Sequence, residues 1–303
     1  VVIPAYKAAR TIGRAIDSLL AQTRPADEII VVDDGSPEDL AGALAPYGER
    51  VSLLRKPNGG AASARNAGID RCRGSLVAFL DADDYWEPDK LQRQLEVLQR
   101  HPEVTLVGSG FYLEEPGGQR QVNSDRDARF LDKVLRLAGA DAFDLAMDVW
   151  TTTVLVRRES LGEHRFVSGL EPAEDRDLWI RLVTSGPVFM LSEPLATAVL
   201  EPNSLSRSDA DFGYGPMIEV IDRHRSLLGS ISARRREARV FRSWASAHLG
   251  RGEPRRALRP AWRRLVRDAW RPEAWWIVLK CLLTAWRPRP AGGASQMVRQ
   301  QQA

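Results

Sequence analysis

Cysteine and long apolar runs are scarce in this 303-residue sequence. Cys72 and Cys281 are the only cysteines. Because they lie far apart along the chain, we expect two buried free thiols in a reducing compartment rather than a disulfide framework. No apolar run approaches the ~20 residues that a membrane-spanning helix requires. The nearest candidate, Trp275–Trp286, is too short and contains Lys280.

A signal-peptide pattern is also absent from the first residues. The segment Val1-Val2-Ile3-Pro4 already has the pattern of a strand, and no Met precedes it. We therefore expect the natural chain to begin a few residues earlier. Together with the scarcity of cysteine, these features predict a cytoplasmic protein.

An overall excess of one charge is missing as well, because 43 Lys and Arg residues nearly balance 40 Asp and Glu residues. The distribution is uneven, however, since acids gather in the first two thirds and arginines crowd the last third. This asymmetry predicts a tail that meets an anionic partner, with a lipid surface or nucleic acid as the usual candidates. The ordinary apolar and charged fractions, 44% and 27%, exclude a disordered or fibrous chain.

Strand and helix patterns alternate through the first hundred residues. Continuous apolar runs predict strands at 1–4, 28–32, 51–54, 75–80 and 104–107. Apolar residues at helical spacing predict helices near 12–20, 40–44, 61–72 and 91–98. Apolar strands separated by helices are typical of an α/β fold with a parallel sheet that is covered on both faces.

Acidic clusters follow two of these strands. One is Asp33-Asp34-Gly35-Ser36 and the other is Asp81-Ala82-Asp83-Asp84. In open α/β sheets ligands bind beyond the carboxyl ends of the strands, so these carboxylates lie where a ligand is expected. Asp81 and Asp83 suit a hard cation such as Mg²⁺ or Mn²⁺, and Asp34 suits a base N–H or a ribose hydroxyl. The plainer interpretation is two solvated turns, the first of which caps a helix.

Two further segments carry residues that could act on a ligand. Asn58–Gly68 is a glycine-rich turn that runs into a helix, where backbone N–H groups favour anions and Arg65 could reach a diphosphate. Glu174 and Asp175 lie at a predicted helix start. Acids there complement the helix dipole, but a carboxylate could also be the general base that a sugar hydroxyl needs when it attacks.

These segments, in this order, resemble the inverting family 2 glycosyltransferases with the GT-A fold. The resemblance covers roughly the first two hundred residues and begins at Val2-Ile3-Pro4-Ala5-Tyr6-Lys7, where the family often has Asn in place of Lys7. It implies a Rossmann-like, mostly parallel sheet with a C-terminal helical region. One departure lies after the last predicted strands, where many relatives carry Arg or His near the diphosphate. This chain has Glu201 there, and Arg207 is the nearest substitute.

The resemblance also implies a set of site residues. Nucleoside contacts are expected from Pro4, Ala5, Tyr6 and Asp34, and donor contacts from Asn58, Arg65, Asp81, Ala82 and Asp83. Asp83 is expected to bind the metal directly, with Mn²⁺ or Mg²⁺ as the cofactor. Glu174 and Trp179 are expected at the start and on the face of the acceptor-site helix, and Asp175 is the expected catalytic base.

The activity implied by the resemblance is a metal-dependent single displacement that inverts the anomeric carbon. The expected donor is a nucleotide sugar, with UDP favoured over GDP or dTDP, and the expected class is a hexosyl- or N-acetylhexosaminyltransferase. The acceptor is expected to be a saccharide or a lipid-linked saccharide, in the assembly of cell-surface polysaccharide or glycolipid. Two alternatives stay open: a catalytically silent nucleotide-sugar-binding protein, and a nucleotidyltransferase on a related fold.

The second half of the chain has weaker patterns. They predict a helix at 131–137, a strand at 151–156, a helix from Glu174, and closing strands at 188–191 and 196–200. Only helix signals follow residue 216. We therefore divide the chain into a glycosyltransferase domain at 1–212 and a helical, Arg- and Trp-rich region at 213–303.

The Arg- and Trp-rich tail has two interpretations. Trp and Arg together are typical of a surface that lies peripherally on an anionic membrane, here the cytoplasmic face. Alternatively the tail is an ordinary helical subdomain whose Trp residues pack inward, which the apolar stripe Ala238, Phe241 and Ala245 favours. No nucleic-acid-binding motif accompanies the charge, so we do not expect a nucleic-acid partner.

Overall fold

The computed structural model describes residues 1–123, 126–200, 209 and 211–285. Contacts divide the chain into two compact units, Val1–Ala233 and Arg234–Ala303. The predicted division at residue 213 lies earlier in the chain. The unit boundary is later because Arg223 donates a hydrogen bond to the buried carboxylate of Asp177 at 3.0 Å. His224 forms a second hydrogen bond with the same carboxylate, also at 3.0 Å. These contacts tie the first helix after residue 213 to the first unit.

A parallel sheet with helices between its strands forms the N-terminal half of the first unit. Its strands are β1 Val2–Ala5, β2 Ile30–Asp33, β3 Ser52–Arg55 and β4 Leu76–Ala78, and its helices are α1 Ile12–Leu20, α2 Leu40–Leu44 and α3 Gly60–Arg71. Strand β2 lies between β1 and β3, and both pairs are parallel. A parallel bridge between Val2 and Phe79 places β4 on the other side of β1. The four predicted strands thus end at one edge of the sheet.

A mixed sheet continues from β4. Its further strands are β5 Tyr85–Trp86, β6 Leu106–Glu114, β7 Arg120–Val122, β8 Val134–Leu135, β9 Leu155–Arg157 and β10 Val188–Val199. The strand order is β4-β9-β6-β10-β5. Strand β10 is parallel to β6, whereas β9 is antiparallel to both β4 and β6. The helices of this half are α4 Lys90–Arg100, α5 Gly139–Asp148, α6 Arg158–Leu161 and α7 Glu174–Ser185.

Three predicted elements of this half differ from the structure. The segment 131–137 is not a helix, because Val134–Leu135 pairs with the start of β10 and the helix begins only at Gly139. The predicted strand at 151–156 starts as a 3₁₀ turn at Thr151–Thr153 and becomes strand β9 only at Leu155. The two closing strands are one strand, β10, whose pairing with β6 shifts register on either side of Pro194.

The helices after residue 213 are α8 Tyr214–Arg223, α9 Arg225–Leu228, α10 Ser230–Gly250, α11 Pro254–Asp268 and α12 Pro272–Ala285. Ala238, Phe241 and Ala245 are buried, as the apolar stripe predicts. The predicted inward packing of the Trp residues is wrong for Trp262, Trp270, Trp275 and Trp276, which are all more than half exposed. Both cysteines are buried and free. None of the helices described here is long and apolar enough to cross a membrane.

Candidate active site

A cleft of about 860 Å³ opens beyond the carboxyl ends of β1, β2 and β4. Ligands of open α/β sheets bind at this edge, where the strand order reverses on either side of the first strand. The structure brings nine of the twelve sequence-predicted site residues to this one cleft. They are Pro4, Ala5, Tyr6, Asp34, Asn58, Arg65, Asp81, Ala82 and Asp83, and the unpredicted Lys7 and Arg10 also line the cleft.

Asp34 is the most firmly held acid of the cleft. Its carboxylate accepts hydrogen bonds from the main-chain N–H groups of Gly59 and Gly60 and from Lys56 Nζ at 2.6 Å. Asn58 donates its side-chain amide to the Asp34 carbonyl at 2.9 Å. These contacts join the end of β2 to the glycine-rich turn. Lys56 was not predicted as a site residue, although its position just after β3 is a signal that could have identified it.

Gly35 allows this approach of the two loops. Its φ of 73° lies in the left-handed region, and a Cβ added there would lie 2.8 Å from the main-chain nitrogen of Asn58. Lys7 also adopts a left-handed conformation, with φ 55°, and its N–H donates to Ser36 Oγ. Asn tolerates this conformation better than most residues do, which accounts for the Asn that the resemblance leads us to expect at position 7.

Arg65 connects the two acidic segments of the site. Its Nη2 donates to Asp81 Oδ1 at 2.8 Å and its Nη1 donates to Glu174 Oε1 at 2.7 Å. Burial disfavours the charged guanidinium, but Asp81 and Glu174 outweigh this effect and raise the pKa of Arg65. With both terminal nitrogens bound to carboxylates, Arg65 orients these acids at the floor of the cleft.

The acids after β4 have three different environments. Asp83 is exposed at the cleft, and its main-chain carbonyl accepts a hydrogen bond from Arg14. Asp81 is partly exposed and binds Arg65 through Oδ1 only. Asp84 is buried, and this burial, with Asp83 and Asp81 nearby, raises the pKa of its carboxyl well above the ordinary value. The first two therefore face the ligand space, whereas Asp84 belongs to the core.

Glu174 and Asp175 begin helix α7 beside this floor, outside the set of cleft-lining residues. Burial raises the pKa of Glu174, and the opposing charge of Arg65 offsets this only in part. Asp175 is partly exposed. Its Oδ2 accepts a hydrogen bond from Thr151 Oγ1 at 2.9 Å and its Oδ1 accepts one from the Arg176 N–H at 2.7 Å. Thr151 was also missed, because a threonine-rich run has the composition of a strand.

Trp179 does not reach the cleft. Its side chain is fully buried, with its ring centroid 5.8 Å from that of Phe166 and 6.0 Å from that of Phe79. A side chain without exposed surface offers nothing for a ligand to touch, so the predicted substrate contact disagrees with the structure. The apolar environment, one helical turn beyond Asp175, makes Trp179 a core residue. Glu201 and Arg207, the residues at the departure from the family pattern, lie outside the described residues.

Comparison with known proteins decides the family. Residues 1–165, more than half of the chain, match the family described as "Glycosyl transferase family 2". The chain belongs to this family. The resemblance inferred from the strand-end motifs is thereby confirmed.

Two relatives of this glycosyltransferase match about two thirds of its length. It is 35% identical over 218 residues to the amylovoran biosynthesis glycosyltransferase AmsB of Erwinia amylovora, which covers 65% of this chain and 67% of AmsB. It is 31% identical over 215 residues to TuaG of Bacillus subtilis, a glycosyltransferase assigned to teichuronic acid biosynthesis. That match covers 68% of this chain and 80% of TuaG.

The fold also matches a solved structure of this class. The structure of S. aureus TarS in complex with UDP-GlcNAc superposes with a TM-score of 0.63 at 17% identity, and the match covers 93% of this chain and 88% of the TarS chain. At this identity the match shows the fold alone, which is the predicted GT-A fold with a helical C-terminal region. The family match favours a glycosyltransferase over a nucleotidyltransferase, one of the two alternatives left open by the sequence.

Proposed function

We propose that this glycosyltransferase transfers a sugar from a UDP-sugar to an acceptor hydroxyl with inversion of the anomeric carbon, and that Asp175 is the general base. The observation that carries the proposal is the Asp81–Arg65–Glu174 bridge. It connects the acids of the cleft to the first residue of α7, next to Asp175. A donor in the cleft and a base at the start of α7 are thus supported by one buried framework. A catalytically silent binding protein would not require this framework.

The reaction is a single displacement at the anomeric carbon. A sugar hydroxyl is a poor nucleophile, so a carboxylate within hydrogen-bond reach must accept its proton as it attacks. Asp175 is suited to this role because it is partly exposed and both its oxygens are held by donors of α7 and the Thr151–Thr153 turn. The hydroxyl oxygen forms the new bond on one face of the sugar while the bond to the nucleoside diphosphate breaks on the other face. This geometry inverts the configuration.

The nucleoside end of the donor is proposed to lie at the ends of β1 and β2. Tyr6 is half exposed in the cleft and offers an aromatic face to the base. Asp34 is held rigidly by Lys56 and by two glycine N–H groups, so its carboxylate position is fixed before a ribose or base binds. UDP is favoured because the structurally similar TarS binds UDP-GlcNAc. An N-acetylhexosamine or a hexose is accordingly the proposed sugar.

The residues after β4 fit a divalent cation of the hard type. The exposed Asp83 lines the cleft beside Asp81, whose Oδ2 makes no hydrogen bond to the described residues. The described residues contain no cluster of three or more His, Cys, Asp or Glu side chains suited to a metal. Mg²⁺ and Mn²⁺ need few protein ligands, because water and substrate phosphates supply the others. A bound Mn²⁺ or Mg²⁺ would neutralise charge on the departing nucleoside diphosphate.

Calorimetric titration with UDP, GDP and dTDP, each with and without Mn²⁺, tests the donor site. We expect UDP to bind preferentially and only with Mn²⁺, and Asp83→Ala to weaken this binding by at least about 10-fold because a metal ligand is lost. Asp89→Ala is the matched control, since Asp89 is exposed and its side chain caps no helix N–H.

Preferential binding of GDP or dTDP would overturn the assignment of UDP. Equal UDP affinity of Asp83→Ala and the unmodified chain would remove Asp83 from the metal site. Equal affinity with and without Mn²⁺ would contradict metal-dependent donor binding as a whole.

The acceptor is proposed to be a growing cell-surface polysaccharide, in line with the amylovoran and teichuronic acid assignments of the two relatives. A lipid-linked acceptor would favour a membrane-adjacent enzyme, and the C-terminal helices have a suitable surface. The residues 254–285 contain seven Arg and one Lys against one Asp and one Glu. The exposed residues Trp262, Trp270, Trp275 and Trp276 belong to the same segment. Cationic side chains beside exposed Trp are suited to an anionic lipid surface at the cytoplasmic face.

Vesicle co-sedimentation tests this membrane contact. We expect the chain to sediment with vesicles that contain phosphatidylglycerol and to stay in solution with pure phosphatidylcholine. The double variant Trp262→Ala/Trp276→Ala should lose most of the binding, since it loses the interfacial aromatic area. Val122→Ala, at an equally exposed apolar position of strand β7, is the control. Equal sedimentation of the double variant and the control would contradict the proposed surface.

A further inference from the structure

Three consecutive threonines form a buried turn next to the site. Thr151, Thr152 and Thr153 are 3%, 0% and 1% exposed in a 3₁₀ turn before strand β9. Burying a hydroxyl without a hydrogen bond is unfavourable, so each of these groups needs a partner. Thr153 Oγ1 uses the carbonyl of Trp150, which is an ordinary turn contact. The other two hydroxyls instead bond to carboxylates of the site region.

The first two threonines bind the two acidic segments of the site. Thr151 Oγ1 donates to Asp175 Oδ2 at 2.9 Å. Thr152 Oγ1 donates to Asp84 Oδ2 at 2.8 Å and lies 3.4 Å from the main-chain nitrogen of Asp81, from which it accepts. One rigid turn therefore contacts both the proposed base and the end of strand β4.

Buried side chains of β5 and α4 donate hydrogen bonds to the main-chain carbonyls of this turn. Trp86 Nε1 donates to the Thr152 carbonyl at 2.8 Å, and Gln94 Nε2 donates to the Thr153 carbonyl at 2.8 Å. Lys90 Nζ, fully buried against the Trp86 ring, donates to Gln94 Oε1. These side chains belong to β5 and α4, so the position of the turn is set by these two elements rather than by the helix that carries Asp175.

From this geometry we infer that Thr151 is a positioning residue, which fixes the orientation of the Asp175 carboxylate relative to the donor site. The inference rests on the proposed role of Asp175 as the base. A carboxylate on a free side chain rotates, and small displacements of a reacting group are costly for the rate. The Arg176 N–H holds only Oδ1 and belongs to the same helix turn as Asp175. The hydrogen bond from Thr151 connects the base to a turn whose carbonyls are bound by β5 and α4.

Thr151→Val tests the inference, because it keeps the shape of the side chain and removes the hydroxyl. We expect kcat to fall by about 10- to 100-fold, with the donor KM and the UDP affinity unchanged. Thr151→Ser should restore most of the rate. Thr184→Val is the matched control. Thr184 lies near the end of α7, the helix that carries Asp175, and its hydroxyl bonds to main-chain carbonyls of that helix.

The split between kcat and KM provides a second readout that a purely structural role would not produce. The Asp81–Arg65–Glu174 bridge supports both the donor cleft and the start of α7, so a general loss of structure would weaken UDP binding together with the rate. Loss of the Thr151 hydroxyl alone should lower kcat and leave the KM for the donor unchanged.

The variants separate failure of the inference from failure of the proposed function. Thr151→Val with the kcat and donor KM of the unmodified chain would overturn the positioning role, while an inactive Asp175→Asn would leave Asp175 as the base. A fully active Asp175→Asn would overturn both. If Thr151→Val lowers the UDP affinity to the same degree as kcat, the threonine acts on the fold of the whole site, and the specific role is contradicted.

Discussion

Replacement of Asp175 by Asn is expected to lower kcat by about 1,000-fold or more while UDP and Mn²⁺ bind with unchanged affinity. The amide is nearly isosteric with the carboxylate and can still accept the hydrogen bond from Thr151 Oγ1. It cannot accept a proton from the attacking hydroxyl at neutral pH. The residue lies outside the set that lines the donor cleft, so donor affinity should not change.

The measurement combines steady-state transfer rates with calorimetric UDP titration of the same preparation. Asp141→Asn is the control, since Asp141 is exposed at the start of another helix and undergoes the same chemical change. A transfer rate for Asp175→Asn within a few-fold of the unmodified chain would remove Asp175 from its role. A loss of UDP binding would instead show that the acid supports the donor site.

The N-terminal half of the fold could be predicted because its patterns are local. Each of the first four strands contains a short apolar run, β2 ends at Asp33, and Asp81 lies shortly after the end of β4. Helix α3 begins at Gly60, directly after the glycine-rich turn, and Gly68 lets this helix lie against Val2 of β1. Because parallel strands align their carboxyl ends, Asp34 and Asp81 could be assigned to the same cleft without a structure.

The later part of the fold depends on contacts that the sequence does not display. Leu131, Val134 and Leu135 have a spacing that suits a helix, but Val134 and Leu135 pair with Phe189 and Val188 of a strand more than fifty residues away. Strand β10 continues through Pro194 because a register shift there accommodates the residue that cannot donate. These pairings are set by the sheet as a whole and override the local spacing.

The site residues show the same division. Asp34, Arg65, Asp81 and Asp83 follow predicted strands or turns, and the structure brings them to one cleft. Trp179 was assigned from the family resemblance, whereas its apolar surroundings, Phe79 and Phe166, come from distant parts of the chain. Thr151 contacts Asp175 across 24 residues of sequence, and only the structure reveals that pairing.

The exposed Trp residues of the C-terminal helices show a further limit of sequence patterns. The stripe Ala238, Phe241 and Ala245 correctly indicated a buried face of α10. It gave no information on α11 and α12, where Ala257, Ala261, Ile277 and Cys281, and not the Trp residues, belong to the buried core. Trp262 and Trp276 lie at the surface, which is the arrangement that the proposed lipid contact uses.

The configuration of the transferred sugar tests the central claim most directly. The chain is incubated with UDP-α-GlcNAc and Mn²⁺, with methanol as a surrogate acceptor hydroxyl, and the methyl glycoside is examined by ¹H NMR. A methyl glycoside does not mutarotate, so its configuration records the chemical step. A single displacement assisted by Asp175 predicts the methyl β-glycoside, with no α-anomer above the level of a reaction without enzyme. Formation of the methyl α-glycoside would contradict the mechanism, because retention requires a second displacement or attack on the same face as the departing UDP.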